Sequence, residues 1–195
     1  MHNNFNQSLI LGVDAHDNGL DPQIVGLCTY SNMISSFIPI PQDAPSDVID
    51  HAFFEAVHFA KSFLIRIWKK FQYVHECQEL VAAAMKPNKK YLVFDKSIPW
   101  LDLFFFFFGA NHPAEFVIMP AGEHWKLRGI PPTYENRMQT RVPLPAAWAG
   151  LLDEELKRIS GIPGAIFCHK GRFISVWETK EDAMRALKII LGVLG

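Results

Sequence analysis

From Ser46 to Met85 the chain runs for about 40 residues without a glycine or a proline, and Ile49, Phe53, Ala56, Ala60, Leu64, Ile67 and Phe71 recur at spacings of three and four. That period is one face of an amphipathic helix. The spacing predicts one long helix, or two nearly collinear ones, with Phe53, Leu64, Ile67 and Phe71 buried. Ser46 is placed to cap its start, with Asp47 and Asp50 at the positive end of the dipole. At 1.5 Å per residue such a helix spans on the order of 60 Å, a length that connects or braces domains.

Around this rod the pattern divides the chain. Residues 1–20 show a short helical period in Phe5, Leu9 and Val13, and "PQDAP" reads as a linker. Beyond "KPNKK" the period shortens: "YLVFD", "EFVIMP" and "HWKLRGI" are β-rich runs bounded by Pro and Gly. "AIFCH" and "RFISVWE" flank Lys170-Gly171 as a hairpin, and Thr179 to Asp182 has capping-box spacing before a terminal helix. "LPAAWAGLLDEELKRISG" reads as a helix or a broken pair ending on Gly161. "PWLDLFFFFF" reads as a buried helix, with Phe104 to Phe108 packing inside the protein or at an oligomer contact. The expected fold is α/β or α+β: an N-terminal helical segment over 1–44, a connecting helix over 45–86, and a mixed-sheet domain with a C-terminal helix over 87–195.

Composition narrows the function. With 49% hydrophobic and 20% charged residues in 195, the chain can bury a substantial core, and a net charge of -1 excludes a wholesale basic coat. Any nucleic-acid contact must come from local clusters, and Lys86-Lys89-Lys90 and Lys126-Arg128-Arg137-Arg141 are the candidates. Cys28, Cys77 and Cys168 are scattered and odd in number, the usage of reduced thiols, and the opening residues lack a signal-peptide pattern. The scattered thiols make a cytoplasmic protein the expectation, and no window reaches the length of a membrane span. It contains no P-loop, GxGxxG, GxSxG or HExxH.

Asp14 and Asp17, in "VDAHDNG", are the candidate hard-metal ligands; His16 lies between them in sequence but need not share their face. Acidic residues before Asn-Gly are also common at helix ends and in turns. Read with "PWLDLFF", "HWKLRGIP", "RVPLPAAWAGL" and "SGIPGAIFCHKGRF", in that order, the segment resembles the second half of the Myg family of metal-dependent hydrolases, which are similar to the DHH phosphoesterases. The resemblance implies hydrolysis of a phosphodiester, as a 3′-to-5′ exonuclease on RNA or a related substrate, at a dinuclear site holding manganese or magnesium.

It also implies that Asp14 closes a ligand set whose other members, a His/Asp cluster, a lone Asp and an Asp-His-His triplet, come from blocks absent here. Two ions about 3.5–4 Å apart need bridging carboxylates and several more ligands, so Asp14 and Asp17 alone would hold an ion only weakly. The expected partner is therefore the missing catalytic half. The second domain of such enzymes supplies cations to the substrate phosphate. Arg141, His169, Lys170, Lys126 and Arg128 are the candidates, with Lys126 and Arg128 projecting from one face of a strand. After Phe173, where the family continues with glycines, this chain has Ser175-Val176-Trp177. The rival reading is a non-catalytic module that binds nucleic acid or protein; for either, a homo-oligomer is an expected assembly.

Overall fold

The structure is a computed structural model that describes residues 28–40, 43–137 and 139–193. Phe5, Leu9, Val13, Asp14, His16 and Asp17 lie outside the described residues. The chain divides into two compact units, Met1–His75 and Glu76–Gly195.

In the first unit, helix α1 (Tyr30–Ser35) begins at a reciprocal cap: the Asn32 N–H donates to Thr29 Oγ1 at 3.1 Å and the Thr29 N–H to Asn32 Oδ1 at 2.9 Å. It lies against the long helix α2 (Ser46–Glu76), with Tyr30 stacked on Phe63 at 4.9 Å and Phe37 tilted on Phe59 at 5.6 Å. The uninterrupted stretch thus forms a helix, as the spacing predicts. Its burial does not follow: no residue of α2 is buried, Phe53 is 61% and Leu64 38% exposed, and Ile67 and Phe71 are half-buried. A turn at Cys77 separates α2 from α3 (Gln78–Met85), so the connecting helix is two elements. Neither Gly nor Pro marks that turn; Cys77 and Val81 are instead where burial begins.

The second unit is built on one five-stranded mixed sheet in the order β1-β2-β3-β5-β4. Its strands are β1 (Tyr91–Val93), β2 (Phe116–Ala121), β3 (His124–Gly129), β4 (Ala165–Cys168) and β5 (Ile174–Trp177). β1 pairs parallel to β2, and the other pairings are antiparallel. The helices are α4 (Trp100–Phe106), α5 (Asp153–Ser160) and α6 (Lys180–Leu191). Because side chains alternate along a strand, the register sorts the sheet into two faces. Phe116, Ile118, Leu127, Trp177, Ala165 and Cys168 share the core face, covered by α5 and α6 through Leu156, Ala183, Ala186 and Leu187. On the opposite face, Leu92 and Val117 are buried at the β1–β2 end, where α3 packs on β1 and on α4. The β3-β5-β4 end of that face is more open.

The phenylalanine run divides. Phe104 is fully buried, whereas Phe106 is 66% and Phe108 81% exposed, so the run does not pack as one block. Phe108 adopts a left-handed φ of 60°, an unusual conformation for an aromatic residue. Gly109 follows immediately, and a Cβ there would overlap the Phe104 ring and carbonyl. The backbone turns at Phe108 to bring Gly109 against Phe104. Among the described residues no helix is long and apolar enough to cross a membrane.

Candidate phosphate-binding face

β3 alternates Leu127 into the core with Lys126 and Arg128 onto the opposite face. The register extends that face across two more strands. Lys126 lies opposite Val176, which lies opposite Phe167; Arg128 lies opposite Ile174. The His169 N–H donates to the Ile174 carbonyl at 2.9 Å, continuing the same ladder. Arg128, Ile174 and His169 therefore form one row over three strands, with their Cα atoms spanning roughly 10 Å at the usual strand spacing.

Lys126 and Arg128 stand two residues apart and are half-buried. Burial depresses the Lys126 ammonium below its ordinary range, and the neighbouring Arg128 charge adds to that depression. Burial also lowers Arg128. Ion pairs in this unit are Lys90–Glu115, Arg137–Asp102, Lys157–Glu154, Lys180–Asp95 and Arg185–Asp182. Among the described residues none includes Lys126, Arg128, His169 or Lys170. Arg128 Nε is buried without a hydrogen-bond partner. A buried N–H on a cation, left unpaired beside a second cation, is costly, and an anion is the group that relieves both penalties.

His169 is held by its own turn. Its Nδ1 accepts the Gly171 N–H at 2.9 Å, which leaves the ring proton on Nε2. Phe173 at 4.4 Å and Phe167 at 6.1 Å flank the ring. Lys170 is exposed at the tip of the hairpin. In the same turn it is Arg172 that carries a left-handed φ of 55°, and its carbonyl accepts the Leu144 N–H at 2.8 Å. On the core face beside it, burial pushes the Cys168 thiol up to about 11, against the opposing charge of Arg172.

Arg141 has its donors engaged by the backbone. Its Nε donates to Pro131 O at 3.2 Å, Nη1 to His112 O and Ala114 O at 2.6 and 2.7 Å, and Nη2 to Gly109 O and Ala110 O at 2.7 and 3.4 Å. A guanidinium has five N–H donors, and all five meet backbone carbonyls. Arg141 is a clamp on the 109–114 loop, where the sequence reading expects it to grip phosphate. The loop has a second tie: His112 Nδ1 accepts the Ala114 N–H at 3.1 Å while its Nε2 lies 2.9 Å from Met85 O.

The Ser175-Val176-Trp177 departure has a structural reason. Ser175 and Trp177 are fully buried on the core face, Trp177 Nε1 donates to Ser175 Oγ at 2.9 Å, and the Trp177 ring meets Trp148 edge-on at 5.6 Å. Only Val176 shares the face of Lys126. Among the described residues no three His, Cys, Asp or Glu side chains group so as to hold a metal ion. The described part of the chain does not fit a dinuclear centre.

Residues 1–191 match the family model MYG1_exonuc, described as "Uncharacterised protein family (UPF0160)". The chain is 45% identical over 186 residues to the MYG1 protein of Chlamydia pneumoniae, covering 95% of this chain and 63% of that one. It is 30% identical over 198 residues to a MYG1 protein of Schizosaccharomyces pombe, covering 91% and 59%. The human MYG1 exonuclease is 40% identical over 68 residues, covering 35% of this chain and 18% of that one. The chain thus spans less than two thirds of the length of the chlamydial and yeast relatives. No solved structure matches it. With the family model matched over nearly all its length, the chain belongs to the MYG1 family.

Proposed function

We propose that this chain supplies the phosphate-binding part of a metal-dependent phosphodiesterase, a 3′-to-5′ exonuclease acting on RNA or a related phosphodiester. Lys126 and Arg128 grip the backbone phosphate, His169 Nε2–H donates to one of its oxygens, and Lys170 contributes charge at the rim. The observation that carries this reading is the half-buried Lys126–Arg128 pair with the unpartnered Nε of Arg128. Guanidinium suits the task because its planar fork matches two phosphate oxygens. The name of the human relative, an exonuclease, supports a nucleic-acid substrate. Manganese or magnesium would be held by Asp14 and Asp17 together with ligands from outside this chain.

The rival reading is a module that binds the same phosphodiester without cleaving it. Fluorescence anisotropy with a short single-stranded RNA tests the binding claim common to both. Neutralising that one phosphate contributes a slope of log affinity against log salt of about -0.7 for a single strand. The Lys126→Ala/Arg128→Ala double variant is expected to lose that part of the slope. An unchanged slope would remove the assignment.

A further inference from the structure

Apolar side chains face solvent along the length of α2. Ile49, Phe53, Val57, Leu64, Ile65 and Trp68 are all exposed, Trp68 by 52%. At 3.6 residues per turn these six spread over an arc of about 160°, with exposed Asp50, Lys61 and Gln72 interspersed in its Trp68–Ile65 half, and the adjoining sector is the one α1 covers through Phe59 and Phe63. A surface this wide, apolar on one side and mixed apolar and polar on the other, is broader than the two-position seam that a single partner helix fills, and matches a helix set against a folded domain. Between α1 and the start of α2 lies a cavity of about 430 Å³, lined by Ile34, Phe37, Ile38, Ile49, Phe53 and Ala56. It is a ready socket for an inserted apolar anchor.

We propose that this arc of α2 seats a folded domain equivalent to the part that MYG1 relatives carry outside the matched segment. More than a third of the length of the Chlamydia pneumoniae and Chlamydia muridarum proteins lies outside that match, enough chain for a domain with its own core. A second copy of this chain is the less suited occupant, because a symmetric pairing of α2 helices would fill one stripe and leave the rest of the arc wet. The proposal goes beyond the phosphate-binding reading and uses none of its residues.

The test is co-expression of the full chain with the unmatched segment of the Chlamydia pneumoniae relative, followed by size-exclusion chromatography with light scattering. The expected result is a one-to-one complex. Val57→Glu/Trp68→Glu should weaken it at least 100-fold, and Val57→Ala/Trp68→Ala, which keeps helix propensity, at least tenfold. Lys126→Ala/Arg128→Ala should leave it intact, so failure here is separable from failure of RNA binding. No complex, a complex indifferent to both α2 variants, or a homodimer of this chain that Trp68→Glu dissolves would each overturn the proposal.

Discussion

Arg128 and His169 occupy the two ends of one row across the sheet, separated by Ile174 and facing away from the core. Their side chains come from segments about 40 residues apart in sequence, and neither has an acidic partner among the described residues. The row places a fixed cation and a ring N–H on one surface, two donors that can each engage an oxygen of an anion.

Lys126 couples this surface to stability. Its folded-state pKa is depressed by burial and by Arg128, so the folded protein disfavours its charged form. For a depressed base the penalty is fully present below the folded pKa and is relieved as pH rises from there toward the unfolded value near 10.5. Lys126→Met should therefore raise neutral-pH stability by about 0.5–1 kcal/mol and flatten the alkaline rise, while weakening RNA binding. Urea titrations between pH 7 and pH 10 read the first effect, and anisotropy the second. A variant that is both less stable and equally tight would contradict the account.

Arg141→Ala should cost about 2–4 kcal/mol, because its five N–H donors satisfy carbonyls of the 109–114 loop and Pro131. The salt slope of RNA binding, measured well below the variant's melting temperature, should not change. A reduced slope without lost stability would return Arg141 to the phosphate.

Gly164 marks another close approach. A Cβ there would overlap Asp182 Oδ2, the atom that accepts the Thr179 hydroxyl at 2.7 Å in the α6 cap. Gly164→Ala should destabilise the second unit by about 2–3 kcal/mol, combining the lost cap with local overpacking. Asp182→Ala alone should cost about 1 kcal/mol. Thermal melts that rank the two in the opposite order would contradict this packing.

Alone, the chain should bind Mn²⁺ weakly and degrade a fluorescent RNA no faster with the metal than without it. Calorimetry and a degradation assay read the two outcomes. Turnover abolished by Asp14→Ala would show that the chain holds a working metal centre.

What the sequence disclosed follows its physics. β2 and β3 were legible because Pro, Gly and β-rich runs bound them, and α6 because Thr179 and Asp182 cap it as their spacing implies. The helix α2 was legible but its exposure was not, since apolar periodicity reports a face and not what covers it. For Arg141 the same five donors suit a phosphate or a ring of carbonyls, and only the path of the 109–114 loop decides between them. Lys126 and Arg128 could be placed on one face from their spacing, whereas His169 joins them only through the β4–β5 register.

The most direct measurement is the Nε–H resonance of Arg128, assigned by its loss in Arg128→Lys and followed while a ribodinucleotide monophosphate is titrated into the protein. A saturable shift of this resonance, with the Arg141 Nε–H unmoved on its carbonyl, is the predicted result. A stationary Arg128 signal at saturating ligand, or a shift confined to Arg141, would contradict the account.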